Sequence, residues 1–191
     1  EFFGSQRGLS VKLICCITSK RSQLQPRCRV STVTGRIPFH PSVSGSEEML
    51  GAIIADRGMR DSLVVATKSG FSNGQGVHTG GNGAKHVNSA LVGSLRRLQT
   101  DYVDMLWVHV WDSVTPAEEL LETMSQLIRA GKVRYWGISN SPAWYVAKVA
   151  TLATATGRAA PIALQYFYSL VNRDIEEEFV PLAREFGMSI Q

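Results

Sequence analysis

Cysteine is scarce in this chain and unevenly placed. The 191 residues hold three, Cys15, Cys16 and Cys28, and none follows position 28. Adjacent cysteines such as Cys15 and Cys16 rarely bridge each other. No C-x-x-C pair occurs, so a zinc knuckle or a thioredoxin-type redox centre has no sequence basis. A cysteine-free body fits a reducing, cytoplasmic setting rather than a disulfide-stapled secreted one. Long apolar runs are missing too. No stretch of about 20 apolar residues exists, so a membrane-spanning helix is not expected. The Gly-x-Gly-x-x-Gly fingerprint of a dinucleotide-binding open sheet is also absent.

Acidic residues are nearly missing from the first quarter. Residues 1–45 carry seven Lys/Arg and one acid, Glu1, a net of +6; the remainder nets −2, which together give the chain's +4. The basic character therefore belongs to one terminus and does not make the body a nucleic-acid binder. This segment is rich in Ser, Arg, Gln, Pro and Thr and shows no sustained periodicity. Its most apolar piece, Val11–Ile17, is too short to span a bilayer and lacks a convincing cleavage site. The composition suits an organelle transit peptide, and it suits an out-of-frame or intron-derived translation better. The expectation is a non-matching, poorly ordered or aberrant segment over residues 1–45. A chain that opens on Glu1 rather than Met also reads as a fragment or a processed form.

From Ser46 onward a regular alternation sets in. Ser46-Glu47-Glu48 is a helix start with acids in its first turn. Met49, Leu50, Ile53 and Ile54 follow at helical spacing, and Gly58 closes the helix. Leu63–Thr67 is a short apolar run ending at Lys68. Residues 69–83 form a loop with six glycines. A helix is expected over residues 84–98, with Val87, Leu91, Leu95 and Leu98 inward and Lys85, Arg96 and Arg97 outward. Val103–His109 is a strand. Pro116 opens a helix with Leu120, Leu121, Met124, Leu127 and Ile128 buried, closed by Gly131. Val133–Ser139 is a strand, Pro142 opens a helix closed by Gly157, and Ile162–Tyr168 is a strand. Asp174 caps a last helix ending at Gly187, with a kink or break at Pro181. Met188–Gln191 begins one more strand. Strands separated by single helices imply parallel crossovers. Two α/β architectures fit, a (β/α)8 TIM barrel and an open doubly wound sheet. The missing glycine fingerprint favours the barrel, and residues 46–191 read as its central part.

Polar groups gather where these apolar strands give out. In such folds the carboxyl ends of the strands are where ligands and catalytic groups collect. Lys68 and His109 end consecutive strands, and neighbouring strands run about 5 Å apart. A lysine ammonium favours the anion of a nearby acid, and an imidazole can exchange a proton or hold a reacting oxygen. A strand-end histidine satisfied by a backbone carbonyl, or a solvated lysine, is the bland counterpart of each. Ser139 and Asn140 follow the next strand, and Gln165 lies inside the one after; all three can bond a carboxamide. Ser139 and Asn140 also suit a plain helix start. A metal site would need clustered His, Asp or Glu at strand ends; only His109 and Asp112 qualify, so none is expected.

Several ordered stretches carry a family likeness: LVVATKSGF, SLRRLQTDYVDMLWVHVWD, AGKVRYWGISN and LQYFYSLVNRDIEEEFVPLAREFGMSI. Over about residues 45–191 the chain resembles the aldo-keto reductases, most closely the branch of aryl-alcohol dehydrogenase-like and potassium-channel β-subunit-like members. The resemblance implies a (β/α)8 barrel that binds NADP(H) and moves hydride between nicotinamide and the carbonyl carbon of a small aldehyde, ketone or alcohol. It implies that Lys68 and His109 assist a tyrosine general acid. Ser139, Asn140 and Gln165 match residues that hold the nicotinamide carboxamide.

The departures set a second expectation. The family places an aspartate and the tyrosine just before the first of these helices. Here that stretch reads RIPFHPSVSGSEEMLG, with no Asp and no Tyr ahead of the helix. His40 lies nearby without motif support. The first strands are replaced or unrecognisable, and the C-terminal strands that grip the cofactor's phosphates are missing. A catalytically inactive fragment or pseudoenzyme, serving as a binding or regulatory subunit, is therefore the alternative. Exposed barrel edges would favour self-association.

Overall fold

The computed structural model describes residues 45–72, 76 and 78–191, and the backbone of a short antiparallel pair, β1 (Cys15–Cys16) with β2 (Val30–Ser31). The other expectations placed on residues 1–44, His40 included, lie outside the described residues. Five parallel strands follow: β3 (Ala66–Ser69), β4 (Val103–Val108), β5 (Val133–Ser139), β6 (Ala163–Gln165) and β7 (Ser189–Ile190). They pair strictly in chain order. A doubly wound sheet reverses its strand order at a switch point, whereas a barrel adds each strand beside the last. The observed order is that of the barrel, and these strands form an arc of one.

One helix links each pair of strands: α2 (Ala84–Leu98), α3 (Ala117–Arg129), α4 (Ala143–Thr156) and α5 (Ile175–Glu185). Before them comes α1 (Gly45–Arg57). Each helix touches the next, α1 to α2 through α4 to α5, so all lie on one side of the sheet. The main core fills the layer between. Leu106, Val108, Trp136, Ile138 and Leu164 from the strands meet Val87, Leu91, Leu120, Met124, Val146 and Val149 from the helices. A smaller cluster, Met105, Trp107 and Ala163, packs on the opposite, inner face. Gly137 lies there as well. A β-carbon at that position would come within 2.5 Å of Trp107 Cζ3, 2.6 Å of the Ala163 carbonyl and 2.7 Å of Met105 Cε. Only glycine lets the Trp107 ring cross β5.

Several local expectations change. Helix α1 does not present Met49, Leu50, Ile53 and Ile54 as one buried stripe, for Ile53 is 46% exposed. Its inward line is Glu47, Gly51 and Ile54. Gly51 lets α1 press against the backbone of Arg97 and Leu98, and Glu47 pairs with Arg97 at 2.6 Å. Arg97 therefore faces α1, not solvent. Strand β3 starts at Ala66 rather than Leu63. The Asp104 carboxylate takes the Val65 N–H at 2.8 Å, and the Val65 carbonyl accepts from both Asp104 and Met105. Strand β6 stops at Gln165, leaving Phe167 and Tyr168 exposed beyond it. Pro116 and Pro142 stand one residue before their helices, in extended conformation. Asp174 makes no capping hydrogen bond; its carboxylate accepts from Asn172 Nδ2 instead. Helix α5 runs through Pro181 as one element. The carbonyl that loses a donor there belongs to Glu177, an exposed first-turn residue that water can serve. Gly157 adopts φ +62° at the end of α4, a conformation that suits glycine.

Candidate functional site

The parallel register aligns the polar strand ends. Lys68 lies beside Trp107, Trp107 beside Gly137, and Gly137 beside Ala163; two residues further on, Ser139 lies beside Gln165. Alternate residues of a strand share a face. Lys68, Ser139 and Gln165 therefore project inward at the carboxyl edge, and His109, two residues past Trp107, continues the same row. All five residues expected at the site thus come to one rim.

His109 is half-buried, and its backbone N–H donates to the Ser69 carbonyl at 2.8 Å. Phe71 meets its ring edge-on, with centroids 4.3 Å apart. Burial, reinforced by the positive charge of Lys68, lowers the His109 pKa to about 4. The imidazole is therefore neutral near pH 7 and offers one N–H donor and one acceptor.

The next two strand ends are knitted together. Ser139 is 2% exposed, and its hydroxyl donates to the Gln165 backbone carbonyl at 2.8 Å. Asn140 takes a left-handed backbone, φ +45°. Its amide Nδ2 donates to Ser139 Oγ at 3.0 Å and to the His109 carbonyl at 2.8 Å. Its own carbonyl accepts from Trp111 N–H at 3.2 Å. Gln165 Nε2 donates to Gln191 Oε1 at 3.3 Å, while Gln165 Oε1 is buried with no hydrogen-bond partner among the described residues. Part of the bonding capacity of Ser139 and Asn140 thus already serves the scaffold. Gln165 keeps an open acceptor.

Two residues at this rim were not singled out as site residues. Asp112 ties two loops together. Its carboxylate accepts from the backbone of Val114 and Thr115, from the Thr115 hydroxyl, and from Asn82 N–H in the glycine-rich loop. Burial would raise its pKa, but these bonds outweigh it and hold the carboxyl below the ordinary range. The local signal is an Asx turn, an aspartate bonding the backbone two and three residues on. Tyr166 is the other. It lies half-buried against Phe179 of α5, 4.0 Å between ring centroids, and reaches the loop after β5. Trp111, Trp144 and Tyr145 build an aromatic wall beside the site, with centroids 5.7–6.1 Å apart. No group of three or more His, Cys, Asp or Glu among the described residues could hold a metal ion.

The sequence description of the aldo/keto reductase family matches residues 43–190. The chain belongs to the aldo/keto reductase family. Among its curated relatives is the aryl-alcohol dehydrogenase GME11368 of Pestalotiopsis microspora, 40% identical over 151 residues. The aldo-keto reductase ausK of Aspergillus calidoustus is 36% identical over 152 residues. Norsolorinic acid reductase B of Dothistroma septosporum is 34% identical over 151. Each match covers 76% of this chain and 38–39% of the relative. This aldo/keto reductase chain thus spans about two fifths of the length of those proteins, and its strands are an arc of the family's (β/α)8 barrel. No helix among its described residues is long and apolar enough to cross a membrane.

Proposed function

We propose that this aldo/keto reductase chain supplies the nicotinamide end of an NADP(H)-dependent site that reduces small aldehydes or ketones to alcohols. The observation that carries the reading is the adjacency of Lys68 and a neutral His109 on one rim with the open acceptor of Gln165. A nicotinamide carboxamide has an N–H pair and a carbonyl. Gln165 Oε1, a buried acceptor without a partner among the described residues, fits that donor. Asn140 and Ser139 stand next to it. The cofactor, when bound, supplies hydride to the carbonyl carbon, so negative charge grows on the carbonyl oxygen. The neutral imidazole of His109 donates an N–H hydrogen bond to that oxygen, the nearby Lys68 charge favours the anion, and a proton from solvent completes the alcohol. Trp111, Trp144 and Phe71 offer ring faces and edges to an aromatic carbonyl compound.

In this reading residues 46–191 are the central part of the barrel, and residues 1–45 a separate, non-matching segment. The compartment is the cytoplasm. Strands β3 and β7 have no outer partner among the described residues, which supports self-association through these edges.

A second reading rests on the stretch RIPFHPSVSGSEEMLG, which has neither the aspartate nor the tyrosine that a general-acid pair requires. There the chain binds cofactor or partner without turnover. One experiment separates them. NADPH oxidation is followed with an aromatic aldehyde, alongside NADPH fluorescence titration. Turnover that disappears in Lys68→Met and His109→Ala, with binding retained, supports the reductase. Binding without turnover supports the second reading. Absence of NADPH binding removes the reductase reading and leaves the second only as partner binding.

A further inference from the structure

The loop that carries Ser139 and Asn140 is held by a residue from the next strand end. The Tyr166 hydroxyl donates to the Ser141 carbonyl at 2.6 Å and accepts from the Ser141 N–H at 3.2 Å. One phenol thus satisfies both backbone groups of a single residue, as a strand partner would. Ser141 is 4% exposed, and its own hydroxyl turns back to the Ser139 carbonyl at 3.0 Å. Between these two fixed residues sits Asn140 at φ +45°, a left-handed conformation that asparagine tolerates better than other non-glycine residues and that its neighbours hold in place here. From Asn140 the bonding runs on to the His109 carbonyl and the Trp111 N–H. The ring itself has little freedom, since Phe179 packs against it.

We propose that Tyr166 is a positioning residue for the site: by clamping Ser141 it fixes Asn140 in its left-handed turn, and through Asn140 it sets the β4 end that carries His109 and Trp111. The inference rests on the reductase reading for its purpose, but its geometry is independent of it. Tyr166 itself stands behind the loop, acting through Ser141 and Asn140. Its phenol stays protonated across the ordinary pH range, because burial raises its pKa to about 12, so it remains able to donate to the Ser141 carbonyl.

Amide hydrogen exchange on the full chain tests this without requiring turnover. Tyr166→Phe keeps the ring and removes the clamp. The expected result is faster exchange, about five- to tenfold, at Ser141 and Trp111 N–H. The His109 N–H, bonded to Ser69, and the α2 amides should keep their wild-type rates. A global rise in exchange would mark a merely structural role and overturn the proposal, as would unchanged rates at Ser141 and Trp111. Should Tyr166→Phe fail to fold, Phe179→Leu loosens the same ring and should speed the same two amides; unchanged rates there overturn it equally. NADPH titration of Tyr166→Phe adds a functional arm, with an expected loss of about tenfold in affinity. If wild type does not bind NADPH, the reductase reading falls, while the exchange pattern still decides the clamp.

Discussion

The side-chain amide of Asn140 donates to the backbone carbonyl of His109 at 2.8 Å, across the gap between two parallel strands. The β4–β5 register ends at Val108 and Ile138, and past it this side chain joins the bond from Trp111 N–H to the Asn140 carbonyl in bridging the two strand ends. It can do so only because its backbone takes φ +45°. Glycine at this position relieves the left-handed strain but loses both amide bonds. Alanine loses the bonds and keeps the strain. Asn140→Ala should therefore unfold at lower urea concentration than Asn140→Gly, with a gap of about 1 kcal/mol. Equal midpoints would mean that the left-handed turn is not maintained by its surroundings.

His109 links stability to pH. Its folded-state pKa is about 4, against an ordinary value of 6.5, from burial and the charge of Lys68. Below 6.5 the unfolded chain takes up a proton that the folded chain refuses. Stability attributable to His109 is thus complete above about 6.5 and declines as pH falls towards 4. Thermal melts across that window should show a Tm that drops on acidification. In His109→Gln the slope should be shallower; an unchanged slope would locate the effect elsewhere.

Gly137 tests the inner face. An alanine methyl would overlap Trp107, Met105 and the Ala163 carbonyl, and the last of these is backbone that cannot swing aside. Gly137→Ala should cost about 2–3 kcal/mol in chemical denaturation. Trp107 fluorescence should change as well, since its ring must move. A variant with wild-type stability would show that the inner cluster is looser than the packing of Met105 and Trp107 implies.

The ion pair of Glu47 with Arg97 joins α1 to α2, and the Glu47 carboxylate also accepts from the Thr67 hydroxyl on β3. The Glu47 side chain is only 12% exposed. Removing its partner strands a carboxylate, so Arg97→Met should destabilise by about 2–3 kcal/mol. The double variant Glu47→Gln with Arg97→Met should recover part of that loss. A double-mutant cycle with zero coupling would reduce the pair to a surface contact.

Much of the fold was legible because its signals are local. The bounds of α2 follow from Val87, Leu91, Leu95 and Leu98 at helical spacing, and these four side chains are buried. Short apolar runs marked the strands, and glycines marked the helix ends. Failures came where a distant group intervened. Asp104 captured the Val65 N–H and delayed β3, and Gly51 turned α1 so that Glu47 rather than Ile53 faces inward. At the site, Lys68, His109 and Ser139 were visible because each closes an apolar run, and Gln165 because an amide inside such a run must find partners. The clamp of Tyr166 on Ser141 was not. The two are 25 residues apart, and nothing near either one announces the pairing.

The strictly sequential strand order has a kinetic side. Each strand–helix unit meets chiefly the unit before it and the unit after it, so contacts rarely bridge more than a few dozen residues. Such a chain behaves as a row of coupled neighbours, in which order can start in any segment and spread in either direction. Damage should spread the same way: a weakened β5 would uncouple the flank bearing Lys68 and His109 from the flank bearing Gln165, each able to fray on its own.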